Sequence, residues 1–194
     1  MNVSQTMETE EDLLTCLQIK MFHPQQSSKD VYRLIPLGSR SRHSADDPLR
    51  LGRDGQTSSY ILQDLKVSRK QLSLQAYRTP HNPDLLFTIQ NLSQRSRLTV
   101  SNKTLGYLEK MDLPQNALVE FGEYVMVITR EPGEAKATFE VEFQVLLMPP
   151  SREVSTFVER TKPVMETGLC SNGFAVEMKW NGPLETDETL PCFS

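Results

Sequence analysis

Cysteine is scarce in this chain of 194 residues, and its three cysteines stand far apart. They are Cys16, Cys170 and Cys192, with no Cys-x-x-Cys pair and no cysteine-histidine spacing typical of a metal site. An odd, scattered set indicates neither a disulfide framework nor a zinc centre. We therefore expect a reducing compartment and no bound metal.

The chain also lacks a long hydrophobic run. No stretch approaches the roughly 20 apolar residues that cross a bilayer. The beginning, "MNVSQTMETEEDLL", is acidic and has neither the basic region nor the apolar region of a secretory signal. The sequence thus predicts a cytoplasmic protein with no membrane partner.

Histidine is the third scarce residue type, and its three positions do not resemble catalytic ones. His23, His43 and His81 lie beside Pro, Ser or Asn in expected loops. None belongs to a recognisable triad, and no glycine-rich loop of the phosphate-binding type is present. We expect no enzymatic activity and no cofactor.

Charge is present but unevenly distributed along the chain. The net charge of −4 arises from 21 basic and 25 acidic residues, with acids concentrated at both ends around a slightly basic middle. Binding to duplex nucleic acid usually needs a concentrated basic face. This distribution argues against a nucleic-acid partner and leaves room for an anionic ligand on the middle of the chain.

The middle of the chain reads as short β-strands. Several runs alternate apolar and polar residues, as at Leu72, Leu74 and Ala76, which is typical of strands with one buried face. With no convincing long amphipathic helix, the pattern predicts an all-β antiparallel sandwich or barrel. About eleven runs qualify: "CLQIKMF", "VYRLIPL", "LRLGR", "SYILQ", "QLSLQAY", "LLFTIQ", "RLTV", "LGYL", "ALVEFG", "YVMVITR" and "TFEVEFQVLL".

The patterning divides the chain into three parts. Residues 1–14 form an acidic segment expected to be flexible, residues 15–148 form the β domain, and residues 149–194 read as a disordered tail. The stretch "MPPSREVS" at 148–155 ends the patterned region, and the residues beyond it show little periodicity. Short binding motifs are common in such tails.

Two polar positions at strand ends suit an anionic ligand. Arg53 follows one expected strand, and Ser68 with Arg69 precedes another. A guanidinium offers paired donors to phosphate oxygens, and a serine hydroxyl can complete the pocket. Asn91 follows a further strand, and its amide could grip a peptide backbone. Taken singly, each reads more simply as an ordinary turn or strand-end residue, and only the joint pattern favours a binding site.

Together, Gly52-Arg53, Ser68-Arg69 and Asn91-x-Ser93 resemble the forkhead-associated (FHA) domain, a phosphothreonine-binding β-sandwich. The resemblance implies that Arg53, Ser68, Arg69 and Asn91 bind phosphothreonine, while Gly52 and Gln90 support the loops. Two departures stand out. Gln71 occupies a position where many such domains have histidine, and Gln90 replaces a basic residue.

Further stretches, above all "LGYLEKMDLPQNALVEFGEY" at 105–124, resemble the family of TRAF-interacting adaptors that carry an FHA domain. The resemblance implies a non-enzymatic adaptor of innate immunity and NF-kappa-B signalling. In such a protein, Thr9 is phosphorylated by an alpha-type kinase and docks into another copy, so that a basal dimer grows into larger oligomers.

The resemblance also implies a ubiquitin-ligase partner for the tail. The segment "PLETDE" looks like a peptide ligand of TRAF domains, with Pro183, Glu185 and Glu188 as its motif residues. The alternative is a nuclear phosphopeptide reader, although "SRSRHS" at 39–44 is too short for a persuasive nuclear import signal.

Overall fold

The computed structural model describes residues 13–151. The regular secondary structure of this range consists of β-strands alone. Since no helix occurs there, the described residues contain none that could cross a membrane. The twelve strands are β1 (Cys16–Phe22), β2 (Arg40–Ser44), β3 (Leu49–Gly52), β4 (Tyr60–Ile61), β5 (Leu72–Thr79), β6 (Asn82–Asn91), β7 (Leu98–Val100), β8 (Lys103–Leu105), β9 (Lys110–Asp112), β10 (Asn116–Phe121), β11 (Tyr124–Glu131) and β12 (Thr138–Val145).

The strands form two sheets that face each other. The large sheet has the order β2-β12-β1-β11-β10-β7-β8, and the small sheet has the order β4-β3-β5-β6-β9. Neighbours run antiparallel except for β1 with β12 and β3 with β4. The predicted all-β sandwich is confirmed.

The core lies between the sheets and follows the alternation seen in the sequence. On β12, Phe139, Val141 and Phe143 are fully buried, as expected from their period of two. Phe139 meets Phe87 of the small sheet with ring centroids 5.0 Å apart and an edge-on geometry. Each such buried ring contributes roughly 1.5 to 3 kcal/mol relative to exposure.

Residues 31–37, "VYRLIPL", were expected to form a strand, and that prediction is wrong. Residues 31–35 are turns and a bend held by local bonds, with the Ile35 amide donating to the Tyr32 carbonyl at 2.9 Å, and Leu37 makes only an isolated bridge to Phe143. Val31, Tyr32 and Ile35 are buried, a spacing that a strand could not place on one face. The segment is apolar because these loop residues pack into the core.

The other differences concern short elements. In "LGYL" at 105–108 only Leu105 is in a strand, because the chain turns at Gly106 and Leu108 has a positive φ of 62°. Three strands, β2, β8 and β9, were not predicted. They are short or polar, and β2 carries Arg40 and Arg42 against glutamates of β12.

The direction of β1 separates the two ends of the sandwich. Cys16 lies opposite Glu131 and Phe22 lies opposite Val125 on β11. The chain therefore enters at one end of the large sheet, where Leu14 pairs with Glu134. At the other end lies the β10–β11 turn, whose Glu123 binds Lys66 from the loop between β4 and β5.

Candidate phosphothreonine-binding site

Arg53 and Ser68 are brought together by backbone hydrogen bonds between their loops. The Arg53 amide donates to the Ser68 carbonyl at 3.1 Å, and the Asp54 amide donates to the Arg69 carbonyl at 3.2 Å. Both loops emerge from the same end of the small sheet. The two strand-end positions separated by fifteen residues in sequence are thus neighbours in space.

Gly52 makes this approach possible. A Cβ atom at this position would overlap the Arg69 carbonyl oxygen and would lie 2.8 Å from Ser58 Oγ. Any side chain would push the 68–70 backbone away from β3. Gly52 therefore acts through the space it leaves.

A groove runs between these loops, and we call it the loop groove. Its volume is about 610 Å³. Five of its lining residues are basic and one, Asp54, is acidic, which creates a positive field suited to a phosphate group. The basic residues are Arg53, Lys66, Arg69, Lys70 and Arg95. A neighbouring hollow of about 700 Å³ shares Arg53 and Arg69.

Asp54 shapes the loop after β3. Its carboxylate accepts hydrogen bonds from the Gln56 amide at 3.2 Å and from Thr57 Oγ1 at 2.9 Å. These bonds, the backbone one foremost, lower the pKa of Asp54 below its ordinary value. The negative charge is consequently retained within the loop, where it fixes the turn after Arg53.

The Ser68 hydroxyl lies within the groove and contacts Ser93. Their Oγ atoms are 2.6 Å apart, and either can donate. Ser93 Oγ also accepts from the Ser96 amide at 3.0 Å, so it already has a donor from its own loop. A Ser68 hydroxyl turned toward a phosphate oxygen would leave Ser93 supported by that amide.

Gln71, the first departure from the family pattern, supports the loops from inside the protein. It is fully buried, and its Oε1 accepts from the Ser68 amide at 3.1 Å. Its Nε2 donates to Ser96 Oγ at 3.0 Å. One amide side chain thus joins the β4–β5 loop to the β6–β7 loop.

Asn91 was predicted to grip a peptide, and the structure places its side chain inside the protein. It is fully buried, and Nδ2 donates to the carbonyls of Ser96 and Leu105, each at 3.0 Å. Its Oδ1 accepts from the Ser93 amide at 3.0 Å. These bonds make Asn91 the anchor of the β6–β7 loop, and a direct ligand contact stays a prediction.

Gln90, the second departure from the family pattern, also bonds within the protein. Its Nε2 donates to the carbonyl of Leu108 at 3.0 Å, which ties β6 to the turn before β9. Beyond Arg53 and Arg69, positive charge at the groove comes from Lys66, Lys70 and Arg95. Sequence reasoning did not select these three, although "LKVSRK" and "QRSR" contain visible basic clusters.

Close to the groove, three side chains could in principle hold a metal ion. Atoms of His23, Asp64 and Glu123 all lie within 4.8 Å of one another. However, His23 Nδ1 accepts a hydrogen bond from the Gln25 amide at 3.1 Å, which places the proton of a neutral imidazole on Nε2. Nε2 then carries the proton, lies 3.4 Å from Asp64 Oδ2 and has no lone pair for a metal.

The predicted functional residues of the two ends lie outside the described part of the chain. Thr9 precedes residue 13, and Pro183, Glu185 and Glu188 follow residue 151. The assignments of the phosphorylated threonine and of the TRAF-binding motif therefore stay predictions.

Comparison with known proteins agrees with this fold. Residues 49–122, which span β3 to β10, match the FHA domain family. Among solved structures, the FHA domain of an Arabidopsis thaliana hypothetical protein is 15% identical and covers 64% of this chain and 92% of its own, with a TM-score of 0.44. The MEK1 FHA domain is 11% identical, covering 44% and 72%, with a TM-score of 0.40. The chain is an FHA-domain protein.

Its full-length relatives define the family more closely. The chain is 33% identical over 92% of its length to the rat TRAF-interacting protein with FHA domain-containing protein A, of which it covers 94%. It is 34% identical to the human protein A, with the same coverage. The human protein B is 32% identical over 68% of this chain and 79% of its own. The chain belongs to the family of TRAF-interacting proteins with an FHA domain, as the sequence resemblance predicted.

Proposed function

We propose that this protein is a non-enzymatic signalling adaptor whose loop groove binds phosphothreonine. The convergence of Arg53 and Ser68 in a groove dominated by basic side chains carries the proposal. A hydrogen bond to a charged phosphate contributes about 1.5 to 3 kcal/mol. Two or three such bonds would separate a phosphorylated peptide clearly from an unmodified one.

The proposed ligand is phosphorylated Thr9 of another copy of the chain. At most roughly 17 Å of extended chain joins Thr9 to Leu14. Leu14 pairs with Glu134 at the entry end of the large sheet, whereas nine residues of extended chain, about 30 Å, lead from there to His23 at the groove end. Docking within one chain is out of reach, and docking between chains can propagate into oligomers.

The proposed downstream partner is a TRAF-family ubiquitin ligase. The relatives are named for an interaction with TRAF proteins, and this chain has a candidate motif at Pro183, Glu185 and Glu188. Oligomers would present many weak motifs at once and gain avidity. The proposal places this adaptor in the cytoplasm, downstream of an alpha-type kinase, in NF-kappa-B and innate immune signalling.

Light scattering tests the core of this proposal. Three proteins are compared: the unmodified chain, the chain phosphorylated at Thr9, and the phosphorylated chain with Arg53→Ala. We expect large assemblies from the phosphorylated parent alone. Equal sizes for all three would refute self-recognition and favour a phosphopeptide reader for another protein, such as a nuclear complex.

A further inference from the structure

A second groove lies on the outer face of the small sheet, and we call it the sheet groove. Its volume is about 350 Å³. Among the described residues that line it, Arg50 and Lys110 are charged and none is acidic. The remaining lining is Pro48, Ser73, Gln75, Thr88, Gln90, Leu92 and Leu108. The sheet groove is therefore positively charged and rich in hydrogen-bonding groups.

Strand register aligns four of these residues in one row. Arg50 pairs with Ser73, Ser73 pairs with Gln90, and Gln90 pairs with Lys110. Residues paired across neighbouring strands point to the same face of a sheet. At about 4.8 Å per strand, the row places the Arg50 and Lys110 backbones about 14 Å apart, the reach of four extended residues.

The sheet groove adjoins the loop groove. Leu92 lines both. The turn between β8 and β9 stands at their boundary, with Tyr107 facing the loop groove and Leu108 facing the sheet groove. Leu108 holds its positive φ of 62° while its amide donates to the Asn91 carbonyl at 2.8 Å. A peptide bound in one groove can thus continue into the other.

We propose that the sheet groove is a subsite for acidic residues that adjoin the phosphothreonine of a bound peptide, with Arg50 and Lys110 as its selecting charges. This inference rests on the proposed function and names the sequence class that the site prefers. Three acids, Glu10, Glu11 and Asp12, directly follow Thr9 in this chain. Their negative charges complement the positive charges of Arg50 and Lys110. A bound peptide without these acids would supply no counter-charge to the two cations in the sheet groove.

Fluorescence anisotropy of two phosphopeptides tests the subsite. Both cover residues 1–14 with phosphate on Thr9, and the second carries Glu10→Gln, Glu11→Gln and Asp12→Asn. We expect the neutralised peptide to bind the unmodified full-length protein about threefold to tenfold more weakly at low salt, with the difference shrinking as salt rises. Equal affinities for the two peptides would overturn the subsite.

A double-mutant cycle assigns the effect to the groove. The protein with Arg50→Gln and Lys110→Gln should lose affinity for the acidic peptide by a similar factor and should bind the two peptides equally. Lys110→Arg, which keeps the charge, should retain most of the discrimination. A threefold or larger preference for the acidic peptide in the double variant would also overturn the assignment.

The controls separate this inference from the proposed function. Lys103→Gln removes a cation from β8 of the large sheet, outside the sheet groove, and should leave both affinities unchanged. If the acidic phosphopeptide binds no better than its unphosphorylated form, the proposed function fails. If phosphate matters but the acids do not, only the subsite fails.

Discussion

Single buried amide groups hold the loops of the candidate site. Gln71 connects Ser68 to Ser96, and Asn91 connects the Ser93 amide to two carbonyl oxygens. An amide can do this because it donates and accepts at once. The groups exposed to a ligand, Arg53 and the Ser68 hydroxyl, therefore depend on neighbours that lie inside the protein.

Asn91→Ala should lower the free energy of unfolding by about 2 to 4 kcal/mol, because it leaves a buried amide and two carbonyls without their partner. Urea unfolding of the full-length protein measures the change. The adjacent Gln90→Ala is the matched control. Gln90 makes one exposed side-chain hydrogen bond, to Leu108, and its loss should cost no more than about 1 kcal/mol. Equal costs would contradict the anchoring role of Asn91.

At the scale of elements, the site is built where two loops approach the end of β3. The Leu62 amide donates to the Gly52 carbonyl at 2.9 Å, and the Gln71 amide donates to the Leu51 carbonyl at the same distance. β3 thus holds the start and the end of the loop that carries Lys66, Ser68 and Arg69. Backbone hydrogen bonds therefore set the distance between β3 and this loop.

Gly52→Ala should disturb this spacing, because its Cβ would overlap the Arg69 carbonyl. We expect a loss of about 1 to 3 kcal/mol in stability and weaker binding of the phosphopeptide in the anisotropy assay. Gly106→Ala is the control, since its Cβ would meet only the Glu109 side chain at 3.5 Å. The control should change stability by less than about 1 kcal/mol, and a neutral Gly52→Ala would contradict the close approach.

At the scale of the whole molecule, the entry of the chain and the loop groove lie at opposite ends of the sandwich. β1 runs from Cys16 at the entry end to Phe22 at the opposite end. The loop groove lies at that opposite end, where Lys66 binds Glu123. Glu123 raises the pKa of Lys66 through this bond, so the lysine stays charged at the groove. The proposed recognition therefore requires at least two molecules.

Mixing two defective proteins tests this requirement. One is phosphorylated at Thr9 and carries Arg53→Ala, and the other carries Thr9→Ala with an intact groove. Each alone should keep its basal size, and the mixture should form complexes larger than either protein alone, as analytical ultracentrifugation would record. Assembly of the first protein by itself would show that Arg53 is not needed and would contradict the proposed mode of docking.

The sequence by itself determined the strands whose alternation is local, such as β5 and β12, and the strand-end positions of Arg53 and Ser68. Burial of one face of a strand requires apolar residues at every second position. This period is visible in the sequence without knowledge of the neighbouring strands. Thr9 and the tail motif are likewise visible in sequence, as predictions outside the described residues.

Only the tertiary structure decided the rest. β2 is a strand because β12 offers it hydrogen bonds and glutamates, and residues 31–35 are turns and a bend although their composition is strand-like. Asn91 faces inward because the carbonyls of Ser96 and Leu105 meet there. The row from Arg50 to Lys110 unites four strands through register, and register between strands distant in sequence is set by the packing of the complete domain.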